Sequence, residues 1–378
     1  MPHYKFSDLA YNITDKKMPE PGDEKTYIGL EHLDSGSLAV TRWGSEIELK
    51  GQKLVMKKGD ILFGRRNTYL RRAAIAPHDG IFSAHGMIFR PKTEVIDSDY
   101  FPFFIASDYF MNAAIRISVG SLSPTVNWKT LKELEFDIPT IEQQRESAKI
   151  LKAANDLKES YQVLLKKTDD LVKSQFIEQF GTWNDSDYDV KTLEELCEPI
   201  KDGTHKTPIY TDDKENGYLF LSSKDVTSKY VDWDHPMYIP AQLHEELSKR
   251  ISPRKGDILL AKNGTTGIAA IVDRDCVFDI YVSLALLRFH PGQNIKYMWA
   301  AINMPETKAQ FDGSLKGIGV PNLHLGEIKK TKIVVPPIEL QNEFAIFLEQ
   351  SDKSKFELKQ AIEGVDVLIK SLIQQELN

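Results

Sequence analysis

The sequence predicts an α+β protein of two tandem domains, each followed by one long helix, with the two helices packed against each other. Three observations predict it: an internal repeat at one fixed offset, short apolar strands broken by turn residues, and matched apolar seams in both helices. Ile138-Pro139-Thr140-Ile141-Glu142-Gln143-Gln144 returns as Val335-Pro336-Pro337-Ile338-Glu339-Leu340-Gln341, and Lys58-Gly59-Asp60-Ile61-Leu62 returns as Lys255-Gly256-Asp257-Ile258-Leu259, both at an offset of 197. In the same register Pro124 falls on Pro321 and Leu131 on Ile328, while Ala73-Ala74-Ile75 lies one residue off against Ala269-Ala270-Ile271. A period this long means duplication of a domain with its helix, not a solenoid of short repeats.

The first domain, residues 1–137, carries candidate strands at Tyr27-Ile28-Gly29-Leu30, Asp60-Ile61-Leu62-Phe63 and Gly86-Met87-Ile88-Phe89, and a short helix from Phe101 to Ile115. Lys-Gly-Asp before an apolar strand reads as a tight turn feeding that strand, with no chemistry of its own. The first long helix occupies residues 138–181. It begins after Pro139, where Thr140 and Glu142 suit a helix start, and runs to Phe180 because Gly181 is a natural stop. Within it Leu157, Tyr161, Leu164, Thr168, Leu171 and Gln175 alternate spacings of four and three, the pattern of a coiled-coil seam.

The second domain, residues 182–335, repeats the plan with Gly217-Tyr218-Leu219-Phe220-Leu221, Asp257-Ile258-Leu259-Leu260, Ala285-Leu286-Leu287-Arg288-Phe289 and a helix from Tyr297 to Phe311. The second long helix, residues 336–378, starts after Pro337. Its Leu358, Ala361, Val365, Leu368 and Leu372 each stand 197 beyond a seam residue of the first. Equivalent seams favour pairing of the two helices; the alternative is that each docks only on its own domain.

Composition bounds the function. The chain has 378 residues, of which 41% are apolar, enough for two or three domains with real cores. No run of 18 apolar residues occurs, and Met1-Pro2-His3-Tyr4-Lys5 lacks the layout of a signal peptide, so a soluble cytoplasmic protein with no membrane association is expected. Cys197 and Cys276 stand in non-equivalent places without CxxC or His pairing, which supports neither a disulfide framework nor a zinc site. Net charge is -7, whereas a self-sufficient nucleic-acid binder is normally basic. The imbalance is local: residues 1–137 hold 18 basic and 18 acidic side chains, residues 336–378 hold 4 and 8. DNA contact would therefore rest on local basic loops and on partners that supply positive charge.

Enzyme signatures are missing from the sequence. It contains no Walker loop, no GxGxxG after a strand, no HExxH and no GxSxG. Its one Pro-Pro, at Pro336-Pro337, opens a helix and lacks the amide side chain with which an adenine methyltransferase grips a flipped base. Glu48-Leu49-Lys50, Glu327-Ile328-Lys329 and Glu357-Leu358-Lys359 fit a loose nuclease pattern, but a pattern that recurs this readily, once inside a helical seam, carries no weight. Among the histidines only His205, within Asp202-Gly203-Thr204-His205-Lys206-Thr207-Pro208, lies in a distinctive turn-rich run, and a lone histidine there is more often a contact residue than a base.

The helix-entry motif in both halves, the repeated Lys-Gly-Asp-Ile-Leu, the Asp202–Pro208 run and Asn263-Gly264-Thr265-Thr266-Gly267 together resemble the DNA-specificity subunit of type I restriction–modification systems, over essentially the whole chain. The resemblance implies two target-recognition domains, each reading one half of a split double-stranded DNA sequence, separated by antiparallel spacer helices that act as a ruler. It further implies a subunit without catalysis or a cofactor of its own. Such a subunit assembles two adenine-methylating subunits, on which AdoMet is expected, with restriction subunits added for cleavage. The first domain departs from the pattern in lacking both the Asp-Gly-Thr-His run and the Gly-Thr-x-Gly turn.

Physics fits that role. A helix of roughly 40 residues at ~1.5 Å per residue is about 60 Å long, and DNA advances about 3.4 Å per base pair. Two domains at opposite ends of such a spacer reach half-sites separated by unread bases. Base readout needs Arg, Lys, Asn or Gln on loops beside small residues that permit close approach. The first domain offers Arg65, Arg66, Asn67, Arg71 and Arg72 after the Lys-Gly-Asp-Ile-Leu strand; the second offers Lys262, Asn263, Thr265 and Thr266 in the equivalent place, together with His205 and Lys206. A second pair of loops precedes the helices, at Ser118–Ser123 with Ser121 and at Gly313–Gly319 with Ser314 and Lys316. Surface ion pairing for the arginines, and a connector role for the small loops, are the plainer alternatives. Two other classes stay open: a coiled-coil scaffold without DNA readout, and a stand-alone restriction enzyme with an unrecognised motif.

Overall fold

The computed structural model describes residues 1–315 and 321–377. Two compact units divide the chain, residues 1–164 with 358–378, and residues 165–357, so each long helix contributes to both.

In the first unit the strand Ile61–Phe63 sits inside an antiparallel sheet ordered Ala10–Ile13, Met87–Pro91, Ile61–Phe63, Ala73–Ile75. Strand side chains alternate between faces, and here both faces are buried. Ile61 and Phe63 join the aromatic core of Phe6, Phe89, Phe104, Phe110 and Phe136, while Leu62 joins Ile28, Leu54, Phe82 and Ile88 against a second four-stranded sheet. That is why the motif reads as an unbroken apolar run. The second unit repeats the arrangement: Leu284–Leu287, Ile258–Ala261 and Ala269–Ile271 are neighbours in one sheet, with Ile258 and Leu260 on one core and Leu259 and Ala261 on the other. The slip in the repeat has a structural cause. Phe63 pairs with Ala73 but Leu260 pairs with Ala269, so the intervening loop is one residue shorter in the second unit.

Lys-Gly-Asp is a structural turn. Gly59 and Gly256 adopt φ +88° and +91°, a region costly for other residues. The aspartate that follows accepts the backbone N–H three residues back, Lys57 or Arg254, each at 2.8 Å. It also receives an arginine, from within the neighbouring strand in the first unit and from just past its end in the second: Arg90 Nε and Nη2 on Asp60 at 2.8 and 2.9 Å, and Arg288 Nε and Nη2 on Asp257 at 2.8 and 2.7 Å.

Each expected short helix is in fact two. Phe101–Ala106 and Asp108–Arg116 break at Ser107, whose hydroxyl caps the second by accepting from Phe110 N at 3.2 Å. Ile295–Ile302 and Pro305–Gly313 break ahead of Pro305, which cannot continue the first. Tyr27–Ile28 is strand, but Leu30 opens a 3₁₀ turn instead of extending it.

The long helices span Ile141–Phe180 and Ile338–Leu377. In the first unit Ala148 and Leu151 share a core with Ile369, Leu372 and Ile373, and Lys158 Nζ meets Asp366 at 2.7 Å. In the second unit Phe176 and Phe180 pack edge-on against Phe344, and Lys355 Nζ meets Asp169 at 3.3 Å. Within each unit the partners ascend on one helix as they descend on the other, so the helices pair antiparallel. Both ion pairs obey the repeat, since 355 is 158 plus 197 and 366 is 169 plus 197.

The buried stripe corrects the expected seam. Tyr161, Leu358, Ala361, Val365 and Leu372 are buried or partly so, whereas Leu157, Leu164, Leu171 and Leu368 are 44–52% exposed. Lys158, Leu165, Val172 and Ile369, one position later, turn inward instead. Lys158 holds its place because its ammonium, seated on Asp366, also donates to Gly36 O at 2.8 Å, with its aliphatic stem filling the seam.

Candidate nucleic-acid interface

The repeat brings the same two loops together in each unit. In the first, the loop after Phe63 lies against the loop before the helix Trp128–Leu131. Arg66 bridges Thr125, Asn67 N donates to Pro124 O at 2.7 Å, and Val126 N donates to Arg65 O at 2.9 Å. In the second, Asn263 bridges Asn322, Gly264 N donates to Pro321 O at 3.1 Å, and Leu323 N donates to Lys262 O at 2.7 Å. Every one of these pairs is displaced by 197. One backbone scaffold therefore presents two different sets of side chains.

The four arginines of the first unit have distinct fates. Arg72 donates to Leu30 O at 2.9 Å and Arg66 O at 3.3 Å, bracing the loop from within. Arg71, held at φ 50°, pairs with Asp108 and Asn112. Arg65 is half-buried, which holds its guanidinium below the usual value, and donates to Asn127 Oδ1 at 2.8 Å. Arg66 is exposed and reaches Ser123 Oγ at 3.3 Å. Asn67 adopts φ 53°, with its Oδ1 buried and unpaired. Ser121 is exposed on the adjoining loop.

In the second unit the structure removes Lys262 from the readout set. It is 6% exposed, and its ammonium donates to Asp202 Oδ2 at 2.8 Å. Asp202 is the hub: Oδ1 also takes Arg250 Nη2 at 3.0 Å and lies 3.2 Å from His205 Nε2. Burial alone pushes this carboxyl up, but Lys262, His205 and Arg250 outweigh it and hold it below the usual range. The hub ties the Asp202–Pro208 run to the loop after the strand. Gly203 is obligatory there, since a Cβ would stand 1.9 Å from Ile280 O. Thr266 is buried, as is the unpaired Oδ1 of Asn263, leaving Gly264 and Thr265 exposed. His205 and Lys206 project outward with side chains 68% and 88% exposed. Ser314 closes its helix by donating to Phe311 O at 2.8 Å, and Lys316 lies outside the described residues.

Residues that sequence reasoning passed over complete the frame. Gln144, fully buried, accepts from Asp97 N at 2.7 Å and donates to Val95 O and Pro139 O, clamping the long helix to the loop before the helix Phe101–Ala106. Gln341 repeats this with Asn294 N at 3.0 Å and Pro336 O at 2.8 Å. The signal was present: both glutamines stand at the end of the repeated motif. Among the described residues no group of three or more His, Cys, Asp or Glu could hold a metal ion, and no helix is long and apolar enough to cross a membrane.

The family model of the type I restriction modification DNA specificity domain matches twice, over residues 12–165 and 185–364. The chain belongs to this family. A protein of Mycoplasma pneumoniae named as a candidate type I specificity subunit is 23% identical over 238 residues, 60% of this chain and 57% of that relative's length. Among solved structures, a chain from work on complex assembly and conformational transition of the type I R-M system has a TM-score of 0.59 at 17% identity, covering 100% of this chain and 96% of that one. The type I restriction–modification S subunit of M. genitalium has a TM-score of 0.53 at 13% identity with the same coverage. At such identity these likenesses show a shared fold.

Proposed function

We propose that this chain is the sequence-reading subunit of a type I restriction–modification complex in the cytoplasm, and that each recognition domain reads one half of a split double-stranded DNA target. The observation that carries this is the paired loop scaffold, identical in backbone connections at a shift of 197 and different in side chains. A common scaffold gives both domains the same way of approaching DNA; different side chains give each its own bases. Arg65, Arg66 and Ser121 face the first half-site, and His205, Lys206 and Thr265 the second.

The long helices set the unread gap and dock two adenine-methylating subunits, which carry AdoMet; restriction subunits join for cleavage. Ile150, Leu157 and Leu164, half-exposed at spacings of seven, form an apolar stripe on the first long helix outside its buried seam, and that period suits a helical partner. The chain itself transfers no methyl group and cuts nothing. The test is selection from random-sequence DNA by the chain alone and by the chain co-expressed with its methylating subunits. The complex should enrich two short unlike half-sites at a fixed spacing; enrichment of one contiguous site, or of none, contradicts the reading.

A further inference from the structure

We propose that the first recognition domain deforms DNA: Leu122, backed by Val119, is an apolar wedge that enters a base step of the first half-site beside the groove occupied by Arg66. The inference rests on the DNA-reading function proposed above and adds a mode of reading to it.

Leu122 is 95% exposed, more than any other large apolar side chain among the described residues, and Val119 is 61% exposed; Ile47 at 77% and Leu70 at 37% are also open in this domain, while most of its aliphatic side chains lie in two cores. The tip that carries them is braced. Val119 and Thr125 exchange backbone hydrogen bonds at 3.1 and 2.9 Å, Thr125 Oγ1 closes on Ser123 O at 2.8 Å, and Pro124 O and Thr125 are tied to the arginine loop. A flexible connector would lack such ties, whereas a side chain that must prise bases apart needs a rigid base.

Charge identifies the occupant. Residues 61–78 hold four arginines and no carboxylate, and residues 109–132 hold Arg116, Lys129 and Lys132 and no carboxylate. Asp108, at the edge of the second stretch, is engaged by Arg71. Arg66 reaches Ser123, the residue next to Leu122. An apolar point beside arginines, where the adjoining carboxylates Asp108 and Asp34 are already paired with Arg71 and Arg42, suits a polyanion with an apolar interior, which is stacked DNA. Proteins that bend DNA use such wedges, with unstacking repaid by added contacts. Pyrimidine–purine steps unstack most readily, so the wedge should select one of them at a position that no side chain reads by hydrogen bonding.

The test uses the full chain assembled with its methylating subunits and a duplex bearing the target found by methylation mapping. 2-Aminopurine replaces one base at a time in the first half-site. The methylated adenine is left out, since methyltransferases extrude it. The wild-type complex should show a several-fold fluorescence rise at one step. Leu122→Ala should abolish that rise and weaken binding, Leu122→Met should keep both, and a mismatch at that step should restore the alanine variant's affinity. Fluorescence unchanged in Leu122→Ala overturns the wedge. So does failure of that variant to assemble with the methylating subunits, which makes the tip a protein contact. Wild-type complex that selects no DNA removes the proposed function itself, whereas selective binding without a fluorescence rise removes only the wedge.

Discussion

Arg66 and Arg72 stand six positions apart and do opposite things. Arg66 is free to meet a base or a phosphate, and an arginine paired bidentately with guanine contributes about 1–3 kcal/mol of discrimination. Arg66→Ala should therefore lower the complex's preference for the cognate first half-site about tenfold or more, measured as affinity for cognate against half-site-mutated DNA. If it weakens all sequences alike and flattens the salt dependence, the contact is to phosphate. Arg72→Ala should instead lower the melting temperature, because Leu30 O and Arg66 O lose their donor. On the second unit, Lys262→Ala leaves Asp202 buried with fewer partners. Breaking a buried pair costs about 3–5 kcal/mol, and Arg250 and His205 should keep the loss near the lower end. Because the folded Asp202 carboxyl is held low, its contribution is present above its unfolded value, about pH 3.9, and is lost as pH falls through the lower folded value. Urea unfolding across that window should show a smaller acid-induced loss in Asp202→Asn than in the native chain. Sequence identified the loops but not these fates. Arg65 and Lys262 occupy the same repeat position, and only the fold shows that a carboxylate 60 residues earlier captures one of them.

At the scale of the element, the repeated Pro-x-Ile-Glu-x-Gln motif is a joint. Gln144→Leu removes one acceptor and two donors from buried backbone groups, and each unsatisfied group costs about 1–3 kcal/mol. We expect loss of several kcal/mol in denaturant unfolding, and hydrogen exchange should rise at Asp97, whose N–H loses its acceptor. The helices' lengths and ends were legible because proline, threonine and glycine mark them. Their facing was not: leucines at 157, 164, 171 and 368 drew the seam one position early, while the inward place of Lys158 depends on Gly36 and Asp366, far away in sequence. The spacer role gives a further expectation. Inserting or deleting one helical turn in one long helix should change the number of unread bases or abolish assembly, with both half-site sequences kept. Methylation mapping that finds a changed half-site and an unchanged gap contradicts the ruler.

For the whole molecule, duplication was the most legible feature, because two in-register motifs at one offset cannot arise from local propensity. What the repeat hid is the divergence between its copies. The first unit places an exposed arginine where the second places a neutral Asn-Gly-Thr turn, so the half-sites should differ in sequence and in sensitivity to salt. The chain purified alone should bind DNA weakly and transfer no methyl group, and methyl transfer by the pure chain contradicts the proposed division of labour. The most direct measurement replaces residues 1–137 with the corresponding domain of another family member and maps methylated adenines in cells carrying the same methylating subunits. One half-site should change while the other half-site and the gap stay as they were; a change in both half-sites, or in neither, contradicts independent reading by two domains.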